Sequence, residues 1–111
     1  MTSNRAIPND ALEFIRRCVG QRKILWTYLV NMRLKGRFIS RNTLLTCLDT
    51  YEIIESYPSD KYLPSYLVRS EHKGELLHIL FAADVQADNI RIITAYRPNL
   101  EEWEDGFRIR R

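Results

Sequence analysis

Three stretches late in the chain decide the fold: SYLVRSEH at residues 65–72, ELLHILFAADV at residues 75–85 and NIRIITAYR at residues 89–97. Each stretch is rich in β-branched and aromatic residues, and apolar positions recur with a period of two, which is typical of strands. Short polar segments separate the stretches. The pattern therefore predicts three consecutive antiparallel strands joined by tight turns.

The turns between these strands predict which residues face each other. Lys73-Gly74 suits a two-residue hairpin loop, and such a loop sets Arg69 opposite His78. The next turn closes most simply in the register that sets His78 opposite Arg97. Folded this way, the three side chains form one row across the sheet.

The alternation of side chains also assigns residues to the two faces of the sheet. The face predicted to pack on helices is continuous and aromatic, with Tyr66, Val68, Leu77, Ile79, Phe81, Ala83, Ile92, Thr94 and Tyr96. The opposite face is apolar in the middle and basic at one end, with Leu67, Arg69, Leu76, His78, Leu80, Ala82, Arg91, Ile93, Ala95 and Arg97.

The row of Arg69, His78 and Arg97 is a candidate site for a phosphodiester. Two guanidiniums bind phosphate oxygens and stabilise the charge that builds up during transfer. An imidazole moves protons near neutral pH, and neighbouring guanidiniums would lower its pKa and keep it neutral. The structural alternative is a half-buried histidine with satisfied hydrogen bonds, beside arginines that are merely solvated strand ends.

The rest of the chain completes an α+β layout. Asn9, Thr27 and Ser40 are candidate N-caps for three helices. Residues 51–57 resemble a further strand, and residues 23–26 can start a short one. Pro98 ends the sheet, and Asn99 can begin a short final helix through Trp103. We expect N-terminal helices packed on a four-stranded antiparallel sheet, with a short C-terminal helix.

Length and composition place the chain in one broad class. It has 111 residues, 45% hydrophobic and 28% charged, which is typical of a single soluble globular domain. We expect residues 1–111 to form one domain with a flexible stretch at residues 1–8. Apolar runs are too short for a membrane span, and Cys18 and Cys47 have no ligand spacing, so buried free thiols in the cytoplasm are expected.

Positive charge is concentrated in one part of the chain. The net charge is only +3, yet eight arginines and lysines and no acid occur within residues 16–41. Arg33 and Arg37 belong to this stretch, and Lys61 lies in a later polar loop. The cluster is either a surface for an anionic partner or a solvated basic face.

Catalytic motifs of the common kinds are absent from the sequence. There is no glycine-rich nucleotide loop, no carboxylate pair spaced as in a metal nuclease, and no serine or cysteine with a visible base. We therefore expect no metal and no cofactor. Any reaction would be acid–base chemistry, and RNA cleavage fits because the substrate supplies its own 2′-hydroxyl as nucleophile.

Several motifs resemble a small bacterial domain-of-unknown-function family. They are MRLKGRFIS at residues 32–40, LHILF at residues 77–81 and IITAYRP at residues 92–98, followed by Glu102-Trp103 and terminal arginines. The similarity extends over roughly residues 22–111. That family is similar to RelE-like toxins of the barnase–EndoU–colicin–RelE ribonuclease fold.

The resemblance implies a function and a set of roles. Such toxins are metal-independent ribonucleases that an antitoxin protein neutralises, so RNA and a cognate antitoxin are the expected partners. Arg69 and Arg97 would hold the scissile phosphate, and His78 would act as base or acid. Tyr96 would support the site or donate a second proton, although the predicted register points it to the core face. Three further basic residues would bind RNA: Arg33, Arg37 and Lys61.

One position departs from the family pattern. The helix of the family carries a histidine four residues before Arg33, where this chain has Leu29. If that histidine is the base, the chain is inactive, and if His78 is the base, activity survives. The alternative function is therefore a catalytically inactive module on the same fold that binds a protein or a nucleic acid.

Overall fold

The computed structural model describes residues 7–111, which form an α+β domain. The prediction of a flexible stretch at residues 1–8 falls mostly on residues 1–6, which lie outside the described residues. The elements in chain order are α1 (Ala11–Gly20), β1 (Ile24–Leu25), α2 (Tyr28–Gly36), α3 (Arg41–Thr46), a 3₁₀ turn (Leu48–Thr50), β2 (Glu52–Tyr57), β3 (Ser65–His72), β4 (Glu75–Asp84) and β5 (Asn89–Tyr96).

Hydroxyl and carboxylate caps begin the three helices. Thr27 accepts a hydrogen bond from the backbone N–H of Val30 at 3.1 Å, and Ser40 caps α3 in the same way. Both caps were predicted. The predicted cap Asn9 is wrong by one residue, because the Asp10 carboxylate accepts from the backbone N–H of Glu13 at 3.1 Å. A carboxylate at this position also interacts favourably with the helix dipole.

The sheet has five strands in the order β1-β5-β4-β3-β2. Four of them form the predicted antiparallel meander. The fifth, β1, pairs in parallel with β5, where Ile24 lies opposite Ile90. The expected count of four strands was therefore one short, because the predicted sheet leaves out the short strand expected near residues 23–26. The predicted α+β class is confirmed.

The helices and one face of the sheet enclose the core. Cys18 and Cys47 are both buried and unpaired in it, as predicted. Within residues 7–111, no helix is long and apolar enough to cross a membrane. Fully buried apolar side chains of α1, α3 and the central strands belong to this core: Ile15, Val19, Leu44, Val68, Leu77, Ile79, Phe81, Ile90 and Ile92.

The pairing of β4 with β5 differs from the predicted register at two points: the turn, where Asp84 pairs with Asn89, and a β-bulge on β5. Leu80 pairs with Thr94 while Phe81 pairs with Ile92, so Ile93 has no partner on β4. An extra residue reverses the faces of everything that follows it. Thr94 and Tyr96 therefore lie on the open face, and Ala95 lies in the core, opposite to the prediction.

A second bulge lies on β2, the other edge of the meander. Ile53 pairs with Val68 and Glu55 pairs with Leu67, so Ile54 is the extra residue. The bulge turns Glu55 to the open face, where Leu67 and Leu80 also lie. The two bulges therefore change which side chains reach that face.

The predicted C-terminal helix is wrong. Asn99 does cap a turn, with its side-chain oxygen accepting from the backbone N–H groups of Glu101 and Glu102, both at 3.0 Å. The turn does not continue into a helix, because the backbone N–H of Glu104 bonds the Ile109 carbonyl at 2.8 Å and Trp103 bridges to Arg110. Residues 99–111, called the C-terminal segment below, instead fold back onto the open face.

Candidate functional site

His78 lies on the open face of β4 beneath the C-terminal segment. It is opposite Arg69 as the hairpin predicted, but it is opposite Tyr96 and not Arg97. The predicted row is thus wrong in its third member. The turn closes with Asp84 opposite Asn89, two residues short of the predicted register, and the extra residue Ile93 restores only one of the two.

Both ring nitrogens of His78 have hydrogen-bond partners. Nε2 lies 2.9 Å from the carbonyl oxygen of Phe107, and Nδ1 lies 3.2 Å from the hydroxyl of Tyr96. Trp103 packs edge-on against the imidazole at 4.4 Å between ring centroids. These contacts leave the histidine with no exposed surface.

The pKa of His78 lies below its ordinary value of 6.5. Burial is the largest cause, since it penalises the charged imidazolium, and the charges of Arg69 and Arg110 lower the pKa further. The hydrogen bond to Phe107 and the charge of Glu55 act in the opposite direction. The imidazole is therefore neutral at pH 7.

Arg69 also binds the C-terminal segment. Its Nε donates to the carbonyl of Gly106 at 2.8 Å. Two ion pairs fasten the same segment to β2, one from Arg108 to Glu52 at 2.9 Å and one from Arg110 to Glu55 at 2.9 Å. Arg69 and His78 thus hold the segment down.

Next to the covered histidine lies a groove of about 1030 Å³ on the open face. Its lining includes Arg37, Tyr96 and Arg97, together with residues of β2 and of the C-terminal segment. The polar residues that face this open-face groove include Arg37, Glu55, Tyr57, Tyr96, Arg97 and Arg110.

Two of the groove arginines, Arg37 and Arg97, are anchored by backbone carbonyls. Arg97 Nη1 donates to the carbonyl of Arg37 at 2.6 Å, and its Nε lies 3.2 Å from Glu75. Arg37 Nη1 donates to the Thr94 hydroxyl and to the Ala95 carbonyl, both at 2.8 Å. A guanidinium has five N–H donors, so anchored arginines of this kind can still bind a phosphate.

Arg33 and Lys61 are not among the residues that line the groove. Arg33 donates to the Ile93 carbonyl at 3.3 Å, on the part of β5 that lies beyond its pairing with β1. Lys61 lies in the loop after β2, with its ammonium 5.3 Å from the ring centroid of Tyr62. Of the seven predicted site residues, the groove brings together Arg37, Tyr96 and Arg97, with His78 and Arg69 beneath the adjoining segment.

The sequence profile of one family, described as "Domain of unknown function (DUF4258)", matches residues 30–97, which is more than half of the chain. The chain belongs to the DUF4258 family. No match was found among the curated proteins or among the solved structures. The DUF4258 span contains all seven predicted site residues, whereas the segment that covers His78 lies beyond it.

The sequence analysis did not predict the cluster of Glu55, Tyr57 and Arg110, which lines the same groove as Arg37 and Arg97. Glu55 accepts from Arg110 Nη2 at 2.9 Å and from the hydroxyl of Tyr57. These bonds, Arg110 foremost, hold the pKa of Glu55 below its usual value against the opposing effect of burial. Glu55 and Arg110 are 55 positions apart in sequence, so no local pattern signals their contact.

Proposed function

We propose that this DUF4258 domain is the toxin of a bacterial toxin–antitoxin pair, a metal-independent endoribonuclease that holds RNA in the open-face groove. The observation that carries the proposal is the convergence of Arg37, Arg97 and Tyr96 on the lining of one groove. Cations bind a phosphodiester, and a tyrosine hydroxyl in the same groove can move a proton.

The proposed reaction is attack by the 2′-hydroxyl of the RNA on the adjacent phosphate. Arg37 and Arg97 bind the non-bridging oxygens and stabilise the extra negative charge of the transition state. Tyr96 is the group that contacts the reacting hydroxyl. Arg33 and Lys61 lie outside the groove, where basic side chains add affinity through further phosphates.

Leu29 takes no part in the proposed reaction. It is 57% exposed on the first turn of α2 and is not among the residues that line the groove. The proposed chemistry uses Arg37 just after α2, with Tyr96 and Arg97 at the end of β5, and so activity does not require a histidine at position 29.

A cleavage assay with end-labelled RNA in the presence of EDTA tests the proposal. We expect the parent to produce fragments ending in 2′,3′-cyclic phosphate, and we expect Arg37→Ala or Arg97→Ala to lower the rate by about 10²-fold or more. Arg91→Ala is the charge-matched control, since Arg91 pairs with Asp84 at the far end of the sheet. Intact RNA with the parent would overturn the nuclease proposal.

The antitoxin part of the proposal has its own test. Expression of the chain should arrest bacterial growth, and co-expression of the neighbouring open reading frame should restore it. Arg97→Ala should relieve the arrest without the neighbour. Normal growth on expression of the well-folded parent would refute the toxin role.

A second candidate is a catalytically inactive module that binds a protein or a nucleic acid. The burial of His78, with both ring nitrogens occupied, favours it. On this reading RNA or protein binding persists without cleavage, and His78→Ala leaves binding unchanged. Parent protein that binds RNA but does not cleave it would select this candidate.

A further inference from the structure

A buried chain of hydrogen bonds connects the C-terminal segment to the open-face groove. It runs from the carbonyl of Phe107 to His78 Nε2 at 2.9 Å, and from His78 Nδ1 to the hydroxyl of Tyr96 at 3.2 Å. Tyr96 then lines the groove. His78 itself has no exposed surface, so any effect it has on a ligand passes through Tyr96.

The chemistry of the partners sets the direction of each hydrogen bond. A backbone carbonyl only accepts, so Nε2 of His78 must carry the proton. In a neutral imidazole Nδ1 is then an acceptor, and the Tyr96 hydroxyl must donate to it. The tyrosine oxygen keeps its lone pairs for a donor in the groove.

We propose that His78 and Tyr96 form a proton relay in which Tyr96 is the catalytic residue and His78 acts through it. This inference rests on the proposed function. As the RNA 2′-hydroxyl attacks phosphorus, its proton passes to the Tyr96 oxygen and the tyrosine proton passes to His78 Nδ1. The P–O5′ bond breaks, water protonates the leaving 5′-oxygen, and the histidine proton returns to solvent through Tyr96 after product release.

The C-terminal segment completes this relay. The Phe107 carbonyl selects the tautomer of His78 that is protonated on Nε2, and Trp103 packs on the imidazole and shields it from water. A carbonyl that accepts from Nε2 also stabilises the imidazolium that forms when Nδ1 takes a proton. The matched DUF4258 span ends at Arg97, so residues outside that span set the state of the histidine within it.

The charges around His78 give the relay a defined pH dependence. Arg69 on β3 and Arg110 on the C-terminal segment disfavour the imidazolium, while Glu55 on β2 favours it and Tyr96 on β5 is neutral at pH 7. With burial added, the pKa of His78 lies below 6.5. Cleavage should therefore persist below pH 6.5 and fall only when Nδ1 is protonated in the free enzyme.

Matched variants and one spectroscopic measurement test the relay. Tyr96→Phe and His78→Asn should each lower cleavage by about 10²-fold or more, and the double variant should be no slower than the slower single variant, since the two residues act as a unit. His78→Asn should also remove the acid limb of the pH profile. Tyr28→Phe and His72→Asn are controls outside the groove that should retain parental rates.

The nitrogen-15 spectrum of the parent should show Nε2 protonated and Nδ1 bare. A protonated Nδ1, additive losses in the double variant, or full cleavage by Tyr96→Phe would each overturn the relay while leaving the nuclease proposal standing. A parent that cleaves no RNA would overturn both together.

Discussion

Replacement of Trp103 by alanine tests whether the C-terminal segment is part of the cooperative fold. The indole is 1% exposed, lies edge-on to His78 at 4.4 Å, and has the Arg110 guanidinium 4.5 Å from its ring centroid. It is the largest side chain that closes the open face of the sheet. Its loss would leave a cavity above the imidazole.

The size of the effect follows from the buried surface. A fully buried tryptophan removes on the order of 200 Å² from water, and at about 25 cal/mol per Å² this is worth at most about 5 kcal/mol. Tryptophan-to-alanine changes in protein cores cost about 3–5 kcal/mol. We therefore expect Trp103→Ala to lower the free energy of unfolding by about 4 kcal/mol.

Urea unfolding followed by far-ultraviolet circular dichroism measures this loss. Trp26→Ala is the matched control, because Trp26 is only half-buried and stacks on Arg41 at 4.4 Å, and it should cost about 1–2 kcal/mol. A loss below about 1 kcal/mol for Trp103→Ala would refute the reasoning. It would mean that the segment undocks from a sheet that remains folded without it.

Three further predictions concern stability. Arg17 and Lys23 lower the pKa of Asp88 from 3.8 to about 2. The stabilisation of the fold by these contacts is therefore present above pH 3.8 and is lost as the pH falls towards 2. The melting-temperature difference between the parent and Asp88→Asn should shrink over that range. Gly74→Ala should cost about 1–2 kcal/mol in urea unfolding because its φ is +81°, whereas Gly20→Ala, at an open helix end, should cost nothing. Tyr51→Phe should cost about 1–2 kcal/mol, since it leaves the Leu44 carbonyl buried without its 2.6 Å hydrogen bond; an unchanged unfolding midpoint would contradict this.

Local signals accounted for most of the fold. The Lys73-Gly74 loop predicted the pairing of Arg69 with His78, and both residues of that loop have the positive φ that such a loop needs. The sequence also predicted the Thr27 and Ser40 caps correctly, because a cap and the helix it begins are adjacent in sequence. Strand alternation placed the core face correctly up to Ile92.

The sequence predicted the functional site less well than it predicted the fold. Two guanidiniums of the groove, Arg37 and Arg97, were anticipated, but the contact of Tyr96 with His78 was not. It depends on the extra residue Ile93, whose bulge looks like ordinary strand sequence. The position of Glu55 on the open face was not predicted for the same reason, because the sequence gives no sign of the bulge at Ile54.

The amino-acid sequence by itself determined the α+β class, the caps of α2 and α3 and the β3–β4 hairpin, because each depends on residues a few positions apart. Only the tertiary structure decided that Tyr96 and Glu55 turn to the open face and that the segment carrying Trp103 and Phe107 covers His78. Bulges and docked segments arise where side chains distant in sequence pack and share hydrogen bonds. The periodicity of residues along a strand or helix does not predict those contacts. In this chain, the contacts determine which side chains can bind a ligand.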